Sequence, residues 1–96
     1  EAVRQEILQM DISDWRARID TVDQIIIDLL NRRMNYAQEI GHLKHANGQQ
    51  VRDPRREREV IDRLKAYNQG PVSDEAIADL YTRIIAEARN LEGEKP

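Results

Sequence analysis

The feature that most constrains this chain is an apolar spacing near its start: Trp15, Ile19, Val22, Ile26 and Leu29 step by four, three, four and three residues. That rhythm is one face of an α-helix packed in a coiled-coil-like seam, and it is incompatible with a strand, whose side chains alternate with a period of two. It predicts one long helix from Ser13, an N-cap with Asp14 beside it favouring the positive helix end, to Asn47-Gly48, which supplies a left-handed stop. About 33 residues at 1.5 Å each make roughly 50 Å of helix. In a chain of 96 residues a single core is marginal, so partner chains would supply what it lacks.

Two shorter helices follow. Asp53-Pro54 reads as an N-cap followed by proline at the first helical position, where its missing N–H costs nothing, and Val60, Ile61, Leu64 and Tyr67 mark the buried side. Asn68-Gln69-Gly70-Pro71 stops this helix. Ser73-Asp74-Glu75 then caps a third, whose apolar face is Ile77, Leu80, Tyr81, Ile84, Ile85, Ala88 and Leu91, ended by Gly93 and Pro96. The expected fold is therefore all-α, a three-helix protomer with helices at about 13–46, 54–68 and 74–92. No repeat or linker divides residues 13–96, which form one domain, and residues 1–12 are an N-terminal extension that either lengthens the first helix or frays.

Composition narrows the function classes. A formal charge of −3 does not advertise a nucleic-acid partner or an anionic membrane surface, so any anion site must be local. The absence of cysteine excludes a disulfide framework and cysteine-based metal or nucleophile chemistry. No apolar run approaches the roughly 20 residues that span a bilayer, and the first ten residues lack the apolar block of a secretion signal. The expectation is a cytoplasmic protein.

Charges stand where the helix faces should be apolar. Continuing the first helix's stepping from Leu29 gives Arg33, Ala37, Ile40 and Lys44, so two cations occupy seam positions. They fall within roughly 20° of one another and about 16 Å apart along the axis, a placement able to flank one concave site. Arg16 lies roughly 100° around the helix from Arg33, so only a partner copy brings it to the same ligand. In the second helix Arg56 and Glu57 share the first turn, and Glu57 leads the stripe Glu57, Ile61, Leu64. In the third, Glu92 extends Tyr81, Ile85 and Ala88. Each has an ordinary reading: seam cations snorkel to water or pair with acids of a neighbouring helix, the Arg/Glu run is a solvated helix start, and Glu92 sits in a frayed last turn.

Together, Arg16, Ile19, Asp23, Leu29-Leu30, Arg33, Ile40-Gly41 and Lys44, followed by Val51-Arg52-Asp53 and Arg56-Glu57-Arg58, resemble the all-helical chorismate mutases. The spacing agrees without insertion from about Trp15 to Leu64 and more loosely to Glu92. The resemblance implies an intertwined six-helix homodimer with two equivalent sites, built on paired first helices. It also implies a small-molecule substrate, chorismate, rearranged to prephenate for Phe and Tyr biosynthesis. That Claisen rearrangement breaks one C–O bond and forms one C–C bond with no nucleophile, metal or cofactor.

By the same resemblance, Arg33 and the partner's Arg16 clamp the two substrate carboxylates and Arg56 adds positive potential. Lys44 donates to the ether oxygen and a carboxylate, Glu57 accepts from the substrate hydroxyl with help from the Asp53 backbone, and Ile40 and Ile85 wall the ring. The chain departs from the best-known bacterial pattern at two places. Ala88 stands where a serine commonly touches a carboxylate, and Glu92 where a glutamine commonly donates to the ether oxygen. As a catalytic residue Glu92 must therefore be protonated, which predicts activity falling as pH rises.

Two rivals have discriminating tests. A related branch uses the same helices as an isochorismate pyruvate-lyase, distinguished by salicylate rather than prephenate as product. A non-catalytic helical dimerisation or regulatory domain would gain stability when any of Arg33, Lys44, Glu57 or Glu92 is neutralised.

Overall fold

A computed structural model describes residues 9–93, and three α-helices account for most of them: α1, Ile12–Ala46; α2, Pro54–Tyr67; and α3, Asp74–Glu92. No strand occurs among the described residues. Most of the expected N-terminal extension, residues 1–8, lies outside them.

The start of α1 corrects the sequence reading, because Ser13 is not its cap. Asp11 Oδ1 accepts from the Asp14 backbone N–H at 2.9 Å, and Asp14 Oδ2 accepts in return from the Asp11 N–H at 3.1 Å. This reciprocal box satisfies donors that the helix itself cannot, and two carboxylates also match the positive helix end, which a serine hydroxyl does not. At the other end Gly48 takes φ of +68°, and the Gln49 N–H donates to the Lys44 carbonyl at 2.8 Å.

The other caps follow the sequence. Asp53 Oδ1 accepts from the Arg56 N–H at 3.1 Å with Pro54 next in the chain, and Ser73 Oγ accepts from the Ala76 N–H at 3.1 Å. α2 ends at Tyr67, one residue earlier than expected, because the Asn68 backbone turns extended while its side chain donates to Val72 O and Asp74 Oδ1. One asparagine thus closes α2 and ties the turn to the start of α3.

The chain divides into two units, one ending at Arg33 and the other beginning at Met34. Within the described part of the first, no side chain is buried. Its seam residues Trp15, Ile19, Val22, Ile26 and Leu29 are all exposed, the least so being Trp15 at 42%. A row of large apolar side chains left in water is unusual for a self-sufficient chain and marks a surface that needs covering.

The second unit has a thin core: Ala37 and Gly41 from α1, Val60 from α2, and Ile85 and Ala88 from α3. α2 packs on α3. Two expected core residues of α3 are corrected. In helical projection Leu80 and Leu91 lie roughly 90–110° to one side of the direction defined by Ile85 and Ala88, and both are exposed. The same projection puts Glu92 between Ala88 and Ile85. Tyr67, the last residue of α2, is also corrected: it is 81% exposed, on the rim of a groove of about 410 Å³ that Leu64, Asn68, Gln69, Ile77 and Tyr81 complete. No helix among the described residues is long and apolar enough to cross a membrane.

Small residues set how closely the elements approach. A Cβ on Gly41 would stand 2.7 Å from Glu92 Cα and 2.9 Å from Glu92 O, so only glycine lets the end of α3 reach α1. Ala in place of Gly gains roughly 1 kcal/mol of helix propensity, but a clash with backbone forces a shift that costs about 1–3 kcal/mol. Gly41→Ala is therefore expected to lower the melting temperature. A variant that melts higher than the parent would show that the close approach does not constrain the fold.

Candidate active site

Ile85, Ala88, Arg89 and Glu92 share one face of the last two turns of α3, at the i, i+3, i+4, i+7 spacing. Ile85 and Ala88 are buried, and the two charged residues reach from that face to different elements. Glu92 Oε1 lies 2.8 Å from Lys44 Nζ on the last turn of α1, and Arg89 Nη1 lies 2.8 Å from Glu57 Oε1 on the first turn of α2. These pairs are largely withdrawn from water: side-chain exposure is 20% for Lys44, 11% for Glu92, 19% for Arg89 and 22% for Glu57.

The Lys44 ammonium is held from two directions. It donates to the Val51 carbonyl in the α1–α2 loop at 2.7 Å while facing Glu92. A lysine ammonium has three donors, so these contacts fix its position without exhausting it. Glu92 Oε1, though beside the ammonium, is buried without hydrogen-bonding alignment to any partner, so the pair is electrostatic and the oxygen retains acceptor capacity. By contrast, the Arg55–Glu59 and Arg83–Glu87 pairs are exposed contacts along one helix each and contribute little.

The backbone carrying Glu92 is fixed as well. His45 Nε2 lies 2.8 Å from the Glu92 carbonyl oxygen. A carbonyl only accepts, so Nε2 must carry the hydrogen. Gly93 follows at φ of +98°, and a Cβ there would stand 2.8 Å from His45 Nε2. Glycine is needed twice over, for the left-handed stop and for room beside the imidazole.

Of the site residues expected from the sequence, Lys44 and Glu92 meet directly, and Glu57 is tied to the same end of α3 through Arg89. Lys44 pairs with an acid of another helix, one of the two ordinary readings of a seam cation, and Glu92 is not left in water. Asp53 and Arg56 are exposed at the start of α2, where the Asp53 carbonyl accepts from the Glu57 N–H at 3.1 Å. Ile85 is buried, while Ile40 is about half exposed. In the first unit Arg16 is exposed and Arg33 half-buried on α1. Among the described residues no three metal-ligating side chains converge.

Sequence reasoning missed Arg89 and His45. Arg89 carried a legible signal, a cation four residues after Ile85 and three before Glu92, on the side of the buried stripe opposite Leu80. His45 carried none, because its partner is a main-chain carbonyl.

Comparison with known proteins finds relatives of this chain. The family model for chorismate mutase type II matches residues 15–93. The bifunctional chorismate mutase/prephenate dehydratase of Neisseria gonorrhoeae is 39% identical over 77 residues, 80% of this chain and 21% of that protein. A chorismate mutase of Methanocaldococcus jannaschii is 28% identical over 76 residues, covering 79% of this chain and 77% of that protein. The chain thus spans about a fifth to a quarter of the length of the bifunctional relatives it matches.

Among solved structures, form II of the chorismate mutase from Thermus thermophilus superposes with a TM-score of 0.84 at 37% identity, over 88% of this chain and 96% of that one. Chorismate mutase from Helicobacter pylori in complex with prephenate gives 0.77 at 27% identity, over 84% and 88%.

Proposed function

The chain belongs to the type II chorismate mutase family, and from that premise we propose that it is a cytoplasmic, homodimeric chorismate mutase, rearranging chorismate to prephenate without metal or cofactor. The observation that carries this reading is Lys44, a seam cation turned inward and held between Val51 O and Glu92. A partly desolvated ammonium with a donor to spare is what developing negative charge on an ether oxygen requires, and it acts most strongly where water is excluded.

The reaction makes two demands on the protein. The substrate, a flexible dianion, must be held folded with its reacting carbons close, and the transition state must be stabilised at the oxygen of the breaking C–O bond. In this reading Arg33 and the partner's Arg16 form the carboxylate clamp, since a guanidinium offers two parallel donors to each carboxylate. Arg56 contributes positive potential. Glu57 accepts from the substrate hydroxyl beside the Asp53 backbone, and Ile40 and Ile85 flank the ring. Ala88 supplies packing in place of a serine hydroxyl, which forfeits about 0.5–1.5 kcal/mol of hydrogen bonding.

Glu92 has a role in this scheme only as a neutral acid. Its Oε1 faces Lys44, which leaves Oε2 to carry a proton toward the ether oxygen. Carboxylate ionisation would place negative charge beside the dianion and beside the oxygen where charge grows. The cation facing it is Lys44 from α1, with the His45 imidazole at its backbone.

A second copy is the covering that the α1 seam calls for. Trp15, Ile19, Val22, Ile26 and Leu29 form a continuous exposed stripe, and seam packing against the same stripe of another chain is the isologous solution. Arg16 on that helix then reaches the partner's site.

Three outcomes are expected. With chorismate as substrate and prephenate as the measured product, Lys44→Ala should lose about 10²–10³-fold in kcat; near-normal turnover, or salicylate from isochorismate instead, would sink the assignment. Glu92→Gln, whose amide offers an N–H donor without negative charge beside the dianion, should turn over chorismate at least as fast as the parent. A large loss of kcat in Glu92→Gln would remove the neutral-donor role from the scheme. Finally, Arg16→Ala and Lys44→Ala dimers, each nearly inactive, should regain about a quarter of parental activity when unfolded and refolded as an equal mixture, because half the dimers then hold one intact site. No recovery would show that Arg16 does not act across the dimer.

A further inference from the structure

We propose that Arg89 is a positioning residue for the mutase reaction: it holds one oxygen of Glu57 so that the other is presented to the substrate's hydroxyl, while its charge cancels the repulsion between Glu57 and a dianionic ligand. This inference rests on the chorismate mutase reading and deepens it.

The geometry carries it. Arg89 Nη1 meets Glu57 Oε1 at 2.8 Å, within the short range of charge-assisted hydrogen bonds. Both side chains are about four-fifths withdrawn from solvent, so the bond is not shared with bulk water as it is for Arg55 and Glu59. Glu57 otherwise swings on three rotatable bonds from the first turn of α2, and an unheld carboxylate would sample many orientations at the entropic cost of ordering it in each catalytic cycle.

Arg89 is well placed to prevent that. It stands one turn before the point where α3 is pinned, by the His45 bond to Glu92 O at 2.8 Å and by the close approach at Gly41. The guanidinium therefore projects from a rigid platform on one helix to a carboxylate on another. A carboxylate has two oxygens and about four lone-pair sites, so engaging Oε1 leaves Oε2 available.

Charge supplies the second half of the case. Glu57 stands in a site read as binding a dianion. Arg89 lies against Glu57, so this acid carries its own cation and does not have to be neutralised by the carboxylate clamp. The arrangement also explains how a carboxylate, which only accepts, is tolerated beside an anionic ligand: the adjacent guanidinium cancels its field while the open oxygen keeps its acceptor function.

A purely structural staple between α2 and α3 would show the same distance, so the test must separate positioning from packing. The experiment is a double-mutant cycle in kcat/KM on Arg89→Met and Glu57→Ala, with folding of each variant followed by thermal melting and with Arg89→Lys as the conservative variant. Arg89→Gln replaces the methionine variant if that one does not fold.

Arg89→Met is expected to lose about 10–100-fold in kcat/KM in the parent and less than about 3-fold once Glu57 is alanine, with Arg89→Lys recovering part of the loss. Equal losses with and without Glu57, or a parent-like Arg89→Met, would overturn the inference while leaving the mutase reading intact. If the parent itself produces no prephenate, the mutase reading fails first and this inference falls with it.

Discussion

The contact on which the second unit depends is the approach of the last turn of α3 to Gly41. With no Cβ at position 41, the Glu92 backbone comes to a distance that any other residue would block. The two inward-turned ion pairs of the candidate site are placed by that approach. It brings Glu92 to Lys44 and lets His45 reach the Glu92 carbonyl. It also seats Arg89, three residues earlier, opposite Glu57. The two ion pairs are thus consequences of a backbone contact made possible by missing atoms, and each joins α3 to a different neighbour.

These pairs sit over a core that is thin for its task. Buried apolar side chains in the second unit are mostly small, Ala37 and Ala88 with Val60 and Ile85, and small residues allow close packing while burying little area each. Partly desolvated ion pairs are poor sources of net stability, because removing charges from water costs about as much as their attraction returns. What they supply is geometry: a lysine, two glutamates and an arginine held in defined positions. The fold has accepted charged groups at positions where apolar ones would stabilise it more, a trade that makes sense where a site needs fixed charges.

The exposed stripe on α1 is the complementary half of the same arrangement. A single chain leaves its largest apolar residues in water, which a dimer would reverse by pairing like with like. Stability and site would then be properties of the assembly, and the folded protomer would be inseparable from its concentration. The proposed sharing of Arg16 fits this, because a helix buried in a two-fold interface offers its flanking residues to the neighbouring protomer.

The sequence by itself determined the elements. Periodicity marked α1 and α3, and the chemistry of Asp53-Pro54, Ser73, Gly48 and Gly93 set their boundaries to within a residue, because caps and stops are local and act through main-chain groups a few residues away. At the start of α1 the sequence pointed to Ser13, but the carboxylates of Asp11 and Asp14 set the boundary instead because they make both bonds of the box. Spacing also marked Lys44, Glu57 and Glu92 as charges in the wrong places.

Only the tertiary structure decided where those charges point. Whether a seam lysine snorkels outward or turns in depends on an acid 48 residues further along the chain. Whether Leu80 or Glu92 faces the core depends on how α3 is rotated against its neighbours, and a window of sequence does not contain that rotation. Arg89 emerged for the same reason: its partner is 32 residues away on another helix, and a pairing between elements is fixed by packing geometry, not by local spacing.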